Sequence, residues 1–134
     1  MSNGQIVTTN GLKIALNRTF KASPDYTTMS KFKVGTGSST PAIGDTDLGT
    51  PVDITAGVQI KSFVGGYPSL DETNMNVTIR GLLLTTDANG NSLREFGLFN
   101  TDGTPLMFSR TVYTAITKTA SVQVVFIEKD KIIT

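Results

Sequence analysis

The sequence predicts an all-β or β-rich α+β fold: an antiparallel β-sheet or sandwich with a central meander and one N-terminal helix. Three observations carry that expectation. Thr is abundant and Gly numbers 13 among 134 residues, a bias toward strands and the turns that join them. Alternating polar and apolar runs recur from Lys31 to Ile127, the period of half-buried strands. Only one segment, near the N-terminus, places its apolar residues at helical spacing.

That segment follows Asn10, a good N-cap residue. Leu12, Ala15, Leu16 and Phe20 fall on one stripe, which is expected to lie against a sheet, with Ile14 off it. The helix should stop before Ser23-Pro24, because the residue preceding a proline avoids the α region. Lys31-Phe32-Lys33-Val34 then alternates charged and apolar as a strand. Gly35 to Pro51 is rich in Gly, Thr, Pro and Asp and reads as a long surface loop, of a length that is usually functional or mobile.

Strand signals return at Val52 to Thr55 and at Val58 to Val64, ending at Gly65-Gly66-Tyr67-Pro68. A long strand is expected from about Thr73 to Thr86, with Met75, Val77, Ile79 and Leu83 on one face. Leu82 and Leu84 point the other way, so part of that second face needs a cover, by the helix or another sheet. Asn89-Gly90 favours a type I′ turn, which would set Leu83 opposite Phe96. Val112 to Ile116 and Ser121 to Ile127 complete the strand set.

The central hairpin is Ser92 to Arg110. Asn100-Thr101-Asp102-Gly103 suits a three-residue loop with a glycine bulge, Gly103 taking φ > 0. In that register Asn100 faces Thr104, Leu98 faces Leu106 and Phe96 faces Phe108. A two-residue loop on Asp102-Gly103 would instead pair Phe108 with Gly97 and Leu106 with Phe99, scattering the apolar set. Register is specified where one face is buried, so the first is expected. With the Asn89-Gly90 turn it builds a three-strand meander whose core holds Phe96, Gly97, Leu98, Phe99, Asp102, Gly103, Leu106 and Phe108. Arg80, Arg94, Glu95 and Arg110 are the charges embedded in it. The register puts Arg94 near Arg110. Either both lie past the core's edge, or a carboxylate, from this chain or a neighbour, separates them.

Arg94-Glu95-Phe96-Gly97-Leu98-Phe99-Asn100, followed by Asp102-Gly103-Thr104-Pro105-Leu106, resembles a hairpin near the virion-attached end of tail-fibre and related proteins of tailed bacteriophages. The match is specific over residues 93 to 106. It extends loosely to the Asn10-Gly11-Leu12 helix start, the Lys33-Val34-Gly35 strand end and the Leu48-Gly49 loop. The resemblance implies a structural role for Glu95 and a variable loop after Gly35. A fibre would continue into a repetitive shaft, whereas this chain stops at 134, so a stand-alone subunit or an attachment protein is expected. The expected location is the virion, after synthesis without a signal peptide in the host cytoplasm.

Composition narrows the function classes. A length of 134 residues suits one domain, residues 1–134, able to bury a core without disulfides or metal. Charged residues are 17%, below the roughly 25% of ordinary domains. The net charge of +1 shows no clustered basic face, which argues against nucleic acid as a partner. The sequence has no Cys and no His. Disulfides, thiolate nucleophiles, His bases and His metal ligands are therefore excluded. No apolar run approaches the roughly 18 residues of a membrane span.

The remaining motifs are incomplete. Gly35-Thr36-Gly37-Ser38-Ser39-Thr40 lacks the helix that must follow a phosphate-cradling loop. Asp87-Ala88-Asn89-Gly90-Asn91 with Glu95 spaces its oxygens wrongly for a calcium loop. Asp45-Asp47 and Asp71-Glu72 are acid pairs in polar loops, which usually are only solvated. No catalytic residue, cofactor or metal is expected, and no enzyme activity.

Three function classes follow. The first is a structural component of a bacteriophage particle, at the tail, baseplate, fibre attachment or neck. It would assemble with itself as a symmetric homo-oligomer and with other virion proteins. The second is a decoration protein on the capsid lattice. The third is a small carbohydrate-binding module using Tyr26, Tyr67 and Tyr113. Its partner would be a host surface glycan, which no motif supports, and the chain has no Trp. Phe126, Ile127, Ile132 and Ile133 are the candidate interface, because Val124 to Ile127 place apolar residues on both faces of one strand.

Overall fold

The computed structural model describes residues 5–131. Among them the order is β1 (Gln5–Val7), α1 (Thr9–Phe20), β2 (Met29–Gly35), β3 (Lys61–Ser62), β4 (Ser69–Asp71), β5 (Asn76–Leu83), β6 (Asn91–Asn100), β7 (Met107–Lys118) and β8 (Val124–Lys131). Two antiparallel sheets form, one in the order β1-β7-β6-β2-β3 and one in the order β4-β5-β8. The fold is thus β-rich α+β with one helix. Both sheets feed one core. Phe32, Val34, Phe96 and Leu98 come from the larger sheet, and Ile79, Leu83 and Val124 from the smaller. Phe96 stacks on Phe126 across the gap, with ring centroids 4.8 Å apart.

The meander does not form. β5 pairs with β4 and β8, and β6 with β2 and β7. Leu83 and Phe96 do meet, but from opposed sheets. The connection between them is a crossover instead of a hairpin. A type I′ turn needs positive φ at both Asn89 and Gly90, whereas the positive values fall at Ala88 (52°) and Gly90 (85°). Asp87 decides this. Its Oδ2 accepts from Leu84 N at 2.9 Å and pairs with Lys61 Nζ at 2.6 Å. Ala88 N then donates to the Ile54 carbonyl at 2.8 Å. These bonds steer the chain out of one sheet and into the other.

The hairpin between β6 and β7 sits where the sequence puts it, in a different register. Leu98 pairs with Ser109, Gly97 with Arg110 and Phe96 with Thr111. Both loops weighed above are too short. Asn100 N donates to the Leu106 carbonyl, and Leu106 N donates to Asn100 Oδ1 at 2.9 Å. The turn therefore spans Thr101 to Pro105, and Gly103 is not at positive φ. The Asn100 side chain closes a wider loop by itself. One residue, Phe108, is extra between the pairs Leu98–Ser109 and Phe99–Met107. That bulge keeps Phe108 on the core with Phe96 and Leu98, while Phe99 and Met107 pack with Leu48 on the outer face. Leu106 is half-buried.

The helix docks by the face opposite to the expected one. Gly11 and Ile14 are buried, while Leu12, Leu16 and Phe20 are 59%, 64% and 80% exposed. The N-cap is Thr8, not Asn10. Its hydroxyl accepts from Gly11 N at 3.0 Å and donates to the Met107 carbonyl at 2.7 Å. Its backbone N–H donates to the Phe108 carbonyl. Helix backbone thus lies directly on the β7 bulge. A Cβ at position 11 would stand 2.2 Å from Phe108 O, so only glycine permits this contact. The anchored N-terminus, not the stripe, sets which face turns inward. The helix ends at Phe20, ahead of Ser23-Pro24 as expected.

Phe32 and Val34 are fully buried in β2, matching the alternation there. The strands expected at 52–55 and 58–64 shrink to β3 and one isolated bridge, Thr55 to Val58. Leu48 and Ile60 pack instead on the outer face of the larger sheet with Phe99 and Met107, while Val52 and Ile54 turn into the core between the sheets. On the smaller sheet Leu82 is half-buried, and Leu84, Val125 and Ile127 are exposed. Among the described residues neither the helix nor another sheet covers that outer face.

Candidate assembly interface

The embedded charges resolve into one buried cluster and one bystander. Arg94 is exposed and does not approach Arg110. β6 bulges between Leu93 and Glu95, which turns Glu95 to the outer face beside Arg110. Glu95 is fully buried and Arg110 is 1% exposed. Arg110 Nε donates to Glu95 Oε1 at 2.9 Å, and its guanidinium also reaches Asp45 at 3.1 Å and Ser39 at 3.2 Å. Neither expected arrangement holds: Arg94 is exposed on its own, Arg110 is buried, and the carboxylate on Arg110 is Glu95 of the same chain.

Glu95 also accepts backbone N–H groups from Gly37, Gly49 and Thr50, each at 2.8 Å. Burial pushes its carboxyl up, but those bonds and Arg110 more than offset this and hold it below its usual value. Each oxygen accepts two donors, so no lone pair is left for acid–base work. The cluster is a clamp that fixes the 36–51 loop on the sheet. Gly35 and Gly37 are part of it: a Cβ at either would meet Glu95 Oε2 at 2.5 Å. The glycines that superficially suggested a phosphate loop are spent on this carboxylate.

The other acids are dispersed. Asp87 and Glu95 serve different partners and form no calcium shell. Asp45 holds Arg110 and the Ala42 N–H, while Asp47 holds Lys33. Asp71 caps its own turn by accepting from Thr73 N and Asn74 N. Among the described residues no group of three or more acidic, Cys or His side chains is placed to hold a metal ion. Tyr113 lies against Phe126 and Tyr67 packs on the core, so these two rings are taken up internally.

What remains open is the gap between the sheets. β1 and β4 have only three residues each, too short to close the sandwich at that side. A cleft of about 1570 Å³ results, with Leu12, Leu70, Met75, Phe96, Phe108 and Phe126 in its wall. Leu70 pairs with Val77 on the inner face of its sheet, yet it is 71% exposed because nothing among the described residues opposes it. The exposed stripe of α1 begins at the cleft, with Leu12, and continues away through Leu16 and Phe20. Together they form a large apolar surface, of the kind that marks an interaction site.

Two carboxyls stand in this cleft. Glu128 and Asp130 point inward from β8, in register with Ile79 and Val77. Thr111 donates to Glu128 Oε1 at 3.4 Å, and Gln5 Nε2 to Asp130 at 3.3 Å. Glu128 Oε2 is buried with no hydrogen-bond partner. Burial, then the adjacent Asp130 carboxyl, push Glu128 up to about 9, so it is protonated at neutral pH. The charge pattern of Glu128-Lys129-Asp130-Lys131 gave no sign of this. Alternation along β8 could have, because it sends every second residue inward.

Of the candidate interface, Phe126 belongs to the core and Ile127 is exposed on the outer face. Ile132 and Ile133 lie outside the described residues. Of the apolar residues exposed on α1 and at the cleft rim, Leu12, Leu16, Phe20 and Met75 were expected inside. No family model matches this chain, and no curated protein or solved structure is found to be similar to it.

Proposed function

We propose that this protein is a structural subunit of a bacteriophage particle, in the tail, baseplate, fibre attachment or neck, and that it works through surfaces and not through chemistry. The single observation that carries the assembly part is the apolar surface running from Phe20 and Leu16 to Leu12 and on to Leu70 at the cleft. A stripe of three large apolar side chains on one exposed helix face is costly in water and is relieved when a partner covers it. The clamped loop supports the same reading, since a rigid, fully hydrogen-bonded scaffold binds with little ordering cost. The virion part rests on the hairpin resemblance at residues 93 to 106.

Two measurements test it. The double variant Leu16→Glu/Phe20→Glu changes only exposed positions, so it should fold. Light scattering should show the wild type as an oligomer and the variant as a monomer. A wild type monomeric at every concentration, and bound by no other virion protein, refutes the assembly reading. Gold-labelled antibody on intact particles, viewed in negative stain, should mark the tail or neck. Label spread over the head lattice identifies a decoration protein, and unlabelled particles refute a virion role.

A further inference from the structure

We infer that the cleft between the two sheets receives an extended apolar segment of a partner protein, with one lysine of that segment seated on the Glu128–Asp130 carboxyl pair. This rests on the assembly reading and specifies the partner's chemistry. The cleft wall is largely apolar and, among the described residues, the inward-facing Leu70 has nothing across from it, so a fitting occupant supplies apolar side chains. The cleft is also not uniformly apolar. It holds two half-buried carboxyls whose neighbours, Thr111 and Gln5, give them only long, neutral hydrogen bonds. None of the ion pairs among the described residues includes either acid.

Two adjacent, partly desolvated carboxyls with no cation beside them favour retention of one proton. In the free protein that proton occupies the place a cation would take. The groups facing Glu128 are Thr111 of β7, Ile79 of β5 and Asp130 of its own strand, with Gln5 of β1 beside Asp130. None of them carries positive charge. Lys129 and Lys131 border the cleft, but they alternate with the two acids along β8 and are exposed, and neither pairs with them. A lysine suits the site because its four-carbon stem packs on Leu70 and Phe108 while its ammonium replaces the proton. An extended segment suits it because the gap lies between strands, where alternate side chains of one face would point inward.

The test uses the full chain and two acetylated, amidated heptapeptides. Both have valine at positions one, five and seven and serine at the even positions. One has lysine at position three and the other norleucine. Calorimetry should show the lysine peptide binding at least tenfold more tightly, with release of a proton on binding. Glu128→Gln should abolish that difference and the proton release. The substitution replaces a neutral carboxyl with a neutral amide, so folding is retained, and Asp130→Asn serves as a second variant. Equal binding of the two peptides, or binding of neither, overturns the inference. Octylammonium binding as tightly as the lysine peptide also overturns it, since the occupant would then be a small amphiphile. Loss of oligomers in Leu16→Glu/Phe20→Glu does not depend on these acids, so failure here leaves the assembly reading standing.

Discussion

Replacing Glu95 by Gln tests the loop clamp most directly. The exchange keeps shape and removes one acceptor and the charge. In the wild type, Oε1 accepts from Gly49 N and Arg110 Nε, and Oε2 accepts from Gly37 N and Thr50 N. Whichever way the Gln amide turns, its NH₂ faces two donors that have no alternative acceptor. A buried donor left unpaired costs about 1–3 kcal/mol. Breaking a buried pair costs about 3–5 kcal/mol, because the other charge stays behind, here softened by Asp45. These terms overlap, so the expected loss is roughly 3–5 kcal/mol, a large part of the ~5–15 kcal/mol that holds a domain folded. Urea unfolding measures it. Hydrogen exchange should also show faster opening at Gly37, Gly49 and Thr50 than at Phe32 or Leu98. A loss below about 1 kcal/mol, with those three amides still protected, would refute the clamp.

Two further outcomes follow from the same structure. Gly11→Ala should destabilise the fold by about 2 kcal/mol or more, although alanine is the better helix former by about 1 kcal/mol. The new Cβ meets backbone, and α1 must lift off Ile14's site; a variant more stable than wild type in urea would show the helix docks otherwise. Glu128 and Glu95 should act oppositely with pH. Glu128 stays protonated in the fold up to about 9 but ionises near 4.5 when unfolded, so stability falls as pH rises through that window, and Glu128→Gln should flatten the decline. Glu95 has its carboxyl held below 4.5, so its contribution is present above that value and is lost as acid protonates it. Unfolding midpoints recorded from pH 3 to 9 separate the two, and a Glu128→Gln curve parallel to wild type would contradict the assignment.

The sequence by itself determined the class of fold and some of the places where elements stop. Phe32 and Val34 had to share a face, because alternation in a strand is a property of neighbouring residues. The helix had to end ahead of Pro24, and a turn had to lie between Asn100 and Leu106. The absence of His and Cys also ruled out whole classes of chemistry without any structure. What it left open depended on contacts between residues far apart in the chain. Nothing local announces that Gly11 will rest on the Phe108 carbonyl, so the more apolar helix face was assigned to the core and in fact faces outward. Nothing near Asn89-Gly90 shows that Asp87 will be held by Lys61, so a crossover read as a hairpin. Glu95 and Arg110 were visible as charges in a sheet, but their partners at Gly37, Gly49 and Thr50 belong to a loop with no periodic signal. The cleft follows from strand lengths and sheet pairing together. Periodicity reports which residues share a face of one element. Only the packed structure decides what that face meets, because the energy of docking is set by long-range shape, hydrogen bonding and charge, and these are absent from any local window.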